Sequence, residues 1–177
     1  MSVTTPPVKV LLSDGEVAWV RRLDPGDVVA VLALHARLSG RDRYFWFSGL
    51  GKARLGRLAT QLAEESGVGL MAVGCFVHNR LVGIARYEVL PDPAEAEIAL
   101  VVDSRTRTQG VATLLLEQLV VSAGHEGVRS FVADVLVQDP RMLGVFATLG
   151  LPCHIGKGWP ERKLTLSLTP SAEPPRP

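Results

Sequence analysis

One stretch of the sequence combines an acidic side chain with a candidate anion-binding loop. Residues 96–103, Ala-Glu-Ile-Ala-Leu-Val-Val-Asp, have the apolar character of a strand that carries Glu97. Residues 104–110 form a polar segment rich in Arg and Thr, and a leucine-rich helical pattern begins at 111. A strand that leads through a loop into a helix N-terminus directs several backbone N–H groups at one point, which suits a phosphate or pyrophosphate. The alternative is an ordinary strand-to-helix connection with solvated arginines.

Composition limits the class of protein. The chain has 177 residues, 47% of them hydrophobic, which is enough for one well-buried domain. Its net charge of +1 is scattered, so neither nucleic acid nor a membrane surface is an expected partner. No apolar run approaches the about 20 residues of a membrane helix. The N-terminus lacks signal-peptide features, and the two cysteines and four histidines have no metal-ligand spacing. We therefore expect a cytoplasmic protein without a metal.

Hydrophobic periodicity and turn residues predict the elements around this stretch. The predicted strands cover 8–12, 16–22, 70–77, 81–90, 96–103, 130–137 and 163–168. The predicted helices cover 25–38, 52–65, 140–149 and a segment that begins at 111 and ends near Gly124 or Gly127. The expected fold is a single α/β (α+β) domain, in which four helices flank a mixed, mostly antiparallel sheet of about seven strands. This domain occupies 9–168, between a flexible N-terminal tail (1–8) and a disordered, Pro-rich C-terminal tail (169–177).

Two segments before the central hairpin allow further predictions. In the first helix an apolar stripe recurs at helical spacing and is expected to face the core. Its members are Val28, Leu32, His35 and Leu38. His35 is more readily interpreted as a packed core residue than as a catalytic one. The aromatic segment at 41–51 is either a hydrophobic plug between two helices or one wall of an acceptor groove, and both roles are compatible.

The loop sequence resembles a known cofactor-binding signature. Residues 107–112, Arg-Thr-Gln-Gly-Val-Ala, match the Gln/Arg-x-x-Gly-x-Gly/Ala acetyl-CoA motif of the Gcn5-related N-acetyltransferase (GNAT) superfamily, whose order of elements resembles that of 9–168. Within the superfamily the chain is most similar to the bacterial protein-lysine acetyltransferases, which acetylate acyl-CoA synthetases and related enzymes. This similarity is carried by residues 12–15, 20–27, 34–39, 43–47 and 95–102. Those relatives often carry a synthetase-like or nucleotide-binding domain, whereas only a transferase domain is expected here.

The resemblance implies acetyl-CoA as co-substrate and assigns residues to it. The implied cofactor-binding residues are Leu100, Val101, Val102, Arg107, Thr108, Gln109, Gly110, Val111, Ala112, Thr113, Asp139, Met142 and Phe146. Arg105 or Arg107 could add charge-assisted hydrogen bonds to phosphate. Phe146 occupies the position at which many members have a tyrosine that protonates the thiolate, so no general acid is assigned. Asp139 replaces the asparagine of the family and is alternatively a helix cap.

The same resemblance identifies Glu97 as the catalytic base. A free lysine amine has a pKa of about 10.4, so acyl transfer at neutral pH needs a group that takes its proton. Glu95 and Glu97 share one face of the strand because side chains alternate, and Glu97 is the closer to the acyl group if CoA passes Val101 and Val102. Glu95 is the second choice, and a surface salt bridge is the alternative role of Glu97. A backbone N–H at or near Leu100 would stabilise the oxyanion.

The expected activity is direct transfer of an acetyl group from acetyl-CoA to a protein lysine, such as that of an acyl-CoA synthetase. The alternatives are acetylation of a small amine or amino acid, and a non-catalytic acetyl-CoA-binding module. A ping-pong route through Cys75 or Cys153 is less favoured, because no third group would orient the Cys153–His154 pair. The oligomeric state is expected to be a monomer or a homodimer.

Overall fold

The computed structural model describes residues 6–38, 57–61, 69–103, 110–136, 140–157 and 161–169. Their strands are β1 (Val8–Leu11), β2 (Val17–Arg22), β3 (Leu70–Val77), β4 (Arg80–Val89), β5 (Glu95–Val102), β6 (Ser130–Leu136), β7 (Cys153–Ile155) and β8 (Glu161–Ser167). Their helices are α1 (Val28–Arg37), α2 (helical at 57–61), α3 (Val111–His125) and α4 (Pro140–Thr148), with a 3-10 turn at Pro25–Asp27.

These strands form one sheet with the order β1-β2-β3-β4-β5-β6-β8-β7, in which only the β5–β6 pair is parallel among the described residues. The predicted single α/β domain with a mixed, mostly antiparallel sheet is confirmed, with eight described strands instead of about seven. The additional strand is β7, whose three residues are all exposed. A three-residue strand without a buried face leaves no hydrophobic alternation in the sequence. The predicted domain limits stay a prediction, because most of both tails lies outside the described residues.

Local sequence signals determine both hairpins. Gly15 has φ +87°, and the Asp14 carboxylate accepts a hydrogen bond from the Glu16 N–H at 3.1 Å. In the β3–β4 turn, His78 and Asn79 have φ of 48° and 62°, which is the backbone geometry that joins two antiparallel strands most tightly. As predicted from its apolar composition, the second hairpin lies at the centre of the sheet.

The start of the first helix follows its capping residues, but the face it buries does not follow the predicted stripe. Asp24 accepts a hydrogen bond from the Gly26 N–H at 2.8 Å and begins the 3-10 turn before α1. Val31 and Leu34 face the core, whereas Leu32 is 47% exposed. The predicted stripe through Leu32 is therefore wrong. Because α1 is apolar on several sides, periodicity alone could not identify the side that packs on β4.

The two faces of the central sheet have different roles. On one face α3 packs against β3 and β4, and a Cβ atom at Gly83 would lie 3.0 Å from Leu115 Cδ1. Tyr87 belongs to the same face and donates a hydrogen bond to Glu126 at 3.0 Å, at the end of α3. Since side chains alternate along β4, Arg86 and Glu88 project from the opposite face. That opposite face also carries Glu97.

Candidate active site

The strand β5 is paired very differently on its two sides. On one side it runs antiparallel to β4 along nearly its whole length, from Ala96 opposite Val89 to Val102 opposite Gly83. On the other side it is parallel to β6, and only 95–97 are in register with 130–132. Within the described residues, β5 and β6 have no further register pair, although both strands continue. The two strands therefore separate directly after Glu97.

Every second residue of β5 directs its backbone N–H and C=O groups toward the gap between β5 and β6. The Leu90 N–H donates to the Glu95 carbonyl at 2.9 Å, and the Asp103 N–H donates to the Val82 carbonyl at 2.8 Å. In an antiparallel ladder, the residues that bond to one neighbour alternate with residues that face away from it. The odd-numbered residues of β5 therefore bond to β4. The even-numbered residues face β6, and in a parallel ladder the last register pair, Glu97 with Val132, uses the Ile98 N–H. Beyond that pair lie the C=O of Ile98 and the N–H and C=O groups of Leu100 and Val102, and we call these groups the open edge of β5.

Glu97 lies at the point where the strands separate. Its side chain is half-buried, and the register places it opposite Val132 on β6 and opposite Glu88 on β4. Glu95 is also half-buried, but it lies two residues before the separation. The predicted base and its second choice are thus both on the same face, and only Glu97 is adjacent to the open edge.

A second carboxylate near Glu97 was not predicted. Glu88 is half-exposed and lies directly across the β4–β5 pair, and its Oε2 is 3.3 Å from Nη1 of the buried Arg86. Like charges that face each other across a pair of strands repel, and the neighbouring guanidinium offsets part of this cost. The length of the turn at 91–94 fixes this register. Counting pairs outward from the turn could therefore have identified Glu88.

Along the sequence, the next described element after β5 is the helix α3. Gly110 is its N-cap and has φ +106°, a conformation that favours glycine, and within the described residues no side chain forms a capping hydrogen bond to the helix. The first-turn N–H groups of a helix have no partner within the helix itself, and the acetyl-CoA signature implies that an anion binds them here. The Val111 side chain is buried, and the Thr113 hydroxyl lies 3.3 Å from that of Thr148 on α4. These two side chains fix the start of the helix, and Ala112 between them is half-buried.

Some of the remaining predicted cofactor residues lie in the part of the chain that the structure describes, and others lie outside it. Val101 is buried and its backbone bonds to β4, so it supports the open edge from behind. Phe146 is buried in α4 and has no proton to donate. The predicted residues outside the described part of the chain are Arg107, Thr108, Gln109, Asp139 and the side chain of Met142, together with Arg105 and the aromatic segment 41–51. Their roles stay predictions.

Neither cysteine is activated as a nucleophile. Cys75 is buried in β3, and burial raises the pKa of its thiol to about 11. Cys153 is exposed on β7, and desolvation raises its thiol pKa as well. Both therefore remain protonated at neutral pH. Among the described residues, no group of three or more His, Cys, Asp or Glu side chains could hold a metal ion, and no helix is long and apolar enough to span a membrane.

Comparison with known proteins identifies relatives of this fold. The sequence model of the acetyltransferase (GNAT) family matches residues 41–151. The GNAT domain of S. lividans PAT has 22% identity and a TM-score of 0.77, over 91% of this chain and 96% of that one. The cAMP-binding acyltransferase from Mycobacterium smegmatis has 19% identity and a TM-score of 0.62, over 97% of this chain and 50% of that one. The putative acetyltransferase yncA from Salmonella typhimurium, solved with acetyl-CoA, has 18% identity and a TM-score of 0.66, over 89% and 97%. No curated protein sequence matches the chain.

Proposed function

Because the chain belongs to the acetyltransferase (GNAT) family, we propose that it transfers the acetyl group of acetyl-CoA directly to a primary amine, with a protein lysine as the favoured acceptor. One observation carries this proposal: β5 separates from β6 directly after Glu97. The separation leaves backbone groups that have no partner on β6, beside a half-buried carboxylate. A thioester and an amine need such a donor and such a proton acceptor.

The residues present fit acetyl-CoA at two positions. The open edge of β5 offers backbone donors and acceptors to an extended ligand, as the edge of a sheet does to an added strand. The N-terminus of α3, beginning at Gly110, offers backbone N–H groups and a helix dipole to the pyrophosphate. Arg107, Thr108 and Gln109 precede that helix in the sequence and are proposed to complete the phosphate site. When bound, acetyl-CoA supplies the thioester.

Each side chain or backbone group then has a defined task in the transfer. The amine nitrogen forms a bond to the thioester carbon, the carbon–sulfur bond breaks, and CoA leaves as a thiolate. The N–H of Leu100 donates a hydrogen bond to the oxyanion that develops on the carbonyl. The carboxylate of Glu97 takes the proton of the amine, directly or through one water. Phe146 cannot protonate the thiolate and no general acid is assigned, so solvent is proposed as the source of the proton that the leaving group takes.

The acceptor is proposed from the resemblance to protein-lysine acetyltransferases and from the charge of the site. Glu88 and Glu97 face each other across β4 and β5, and two carboxylates attract a cationic ammonium group. This charge suits a lysine side chain and also suits a small amine. The similarity of the segments at 20–27 and 43–47 to protein-lysine acetyltransferases favours the protein lysine.

Release of free CoA thiol, measured with an acceptor panel, tests this proposal. The purified chain is mixed with acetyl-CoA and either acyl-CoA synthetases, free lysine or polyamines, with an acceptor-free sample as the control for hydrolysis. We expect thiol release above that control with a synthetase, and acetyl-lysine on the synthetase by mass spectrometry. Thiol release with small amines only would show that the acceptor is a small amine and not a protein lysine. Binding of acetyl-CoA without turnover on any acceptor would identify a non-catalytic module instead.

A further inference from the structure

The residue that follows β5 has a further role that rests on the proposed function. We propose that Asp103 is a positioning residue that fixes the open edge of β5 for acetyl-CoA. It is 1% exposed, and its Oδ2 lies 3.0 Å from Arg80 Nη2 and 3.4 Å from Arg37 Nε. Arg37 also donates through Nη2 to the Leu81 carbonyl at 2.7 Å. The carboxylate therefore connects the end of β5 with the start of β4 and with the last residue of α1.

The contacts of Asp103 with Arg37 and Arg80 matter because β5 and β6 separate before β5 ends. A central strand is normally held on both edges, but among the described strands the second half of β5 has register pairs only with β4. The two guanidinium contacts of Asp103 anchor the free end of this half. Charge-assisted hydrogen bonds to a buried carboxylate are among the stronger polar contacts in proteins. Without them the backbone at Leu100 and Val102 would be free to shift, and a shift of about 1 Å is enough to weaken a preorganised site.

A second buried carboxylate provides a matched control. Asp27 accepts two hydrogen bonds of 2.7 Å from the guanidinium of Arg21, and the contact joins β2 to the 3-10 turn before α1. Burial by itself would raise the pKa of Asp27, but the hydrogen bonds from Arg21 and from the Asp24 N–H, with the charge of Arg21, hold the pKa below its usual value. This pair resembles the Asp103 cluster chemically. It lies on β2, three strands away from β5 in the sheet order.

The experiment compares Asp103→Asn with Asp27→Asn. Thermal unfolding measures stability, and calorimetric titration with CoA measures affinity. We expect both substitutions to lower the melting temperature, and only Asp103→Asn to weaken CoA binding, by about tenfold. In turnover, Asp103→Asn should raise the KM for acetyl-CoA and leave the KM for the amine unchanged. If Asp103 served stability alone, Asp103→Asn would lower the melting temperature and leave both the CoA affinity and the KM for acetyl-CoA unchanged.

Arg80→Gln keeps the inference testable if Asp103→Asn fails to fold. Arg80 has a half-exposed side chain, so its replacement leaves the core intact. We expect Arg80→Gln to weaken CoA binding, and to add no further loss to a folded Asp103→Asn chain, because the arginine acts through the carboxylate. Unchanged CoA affinity in a folded Asp103→Asn chain, or in Arg80→Gln if Asp103→Asn does not fold, would overturn the role of Asp103. Failure of the wild-type chain to bind acetyl-CoA would instead overturn the proposed function, and this role with it.

Discussion

The two edges of β5 show how one strand can serve stability and recognition separately. On the β4 edge seven register pairs run from Ala96 to Val102, and on the β6 edge three pairs end at Glu97. The β4 edge therefore holds the strand in the sheet. Beyond Glu97 the β6 edge has no register pair in the part of the chain that the structure describes, and its N–H and C=O groups form a template for a strand-like ligand. The difference places the candidate base at the boundary between the paired and the unpaired parts of the strand.

The largest effect expected from this comparison is the loss of turnover in Glu97→Gln. If Glu97 takes the proton of the amine, the substitution should lower kcat by about 10²–10⁴-fold and leave the affinity for CoA unchanged. Glu95→Gln is the matched control, because Glu95 shares the same face but lies within the paired part of β5. Thiol release measures kcat, and calorimetric titration measures affinity. A larger loss in Glu95→Gln would identify Glu95 as the base.

A second pair of substitutions tests whether the open edge depends on the packing behind it. A Cβ at Gly83 would lie 3.1 Å from the Val101 carbonyl, so Gly83→Ala should move β5 and cost about 1–3 kcal/mol of unfolding free energy. A Cβ at Gly74 would lie 2.6 Å from Leu23 Cδ2 and would displace only side chains.

Both glycine variants should therefore unfold at lower urea concentration, and only Gly83→Ala should also raise the KM for acetyl-CoA. Equal KM values in the two variants would mean that the position of β5 does not control cofactor binding.

Amide hydrogen exchange should distinguish the two edges of β5 directly. The N–H groups of Ala99 and Val101 bond to β4, so they should exchange more slowly than the N–H of Leu100 by about an order of magnitude. Addition of CoA should slow exchange at Leu100 and leave Ala99 and Val101 nearly unchanged. Residue-resolved NMR measures all three. Slow exchange at Leu100 in the absence of CoA would contradict an open edge.

The smallest expected effect is that of removing both cysteines. Direct transfer needs no protein thiol, and burial raises the pKa of Cys75 to about 11. A Cys75→Ala, Cys153→Ala chain should therefore retain its rate of thiol release within about twofold. The wild-type chain under the same conditions is the reference. Loss of activity in Cys153→Ala alone would indicate a ping-pong route through an acyl-cysteine.

The sequence by itself determined features that depend on neighbouring residues in the chain. Asp14-Gly15 and His78-Asn79 define two hairpin turns, and Asp24-Pro25 defines the start of the segment that leads into α1. Gly110 defines the start of α3, where φ is +106°. These residues act through their own backbone preferences and through hydrogen bonds to residues two or three positions away. No knowledge of the distant parts of the chain is needed to read them.

Only the tertiary structure decided features that depend on distant parts of the chain. The side of α1 that faces the core leaves Leu32 exposed, although its spacing fits a buried stripe equally well. The strand β7 has no buried face that could appear as a pattern. The pairing of Glu88 with Glu97 and the contacts of Asp103 depend on how β4 and β5 align. The separation of β5 from β6 depends on packing between elements far apart in sequence, and it decides which backbone groups remain open.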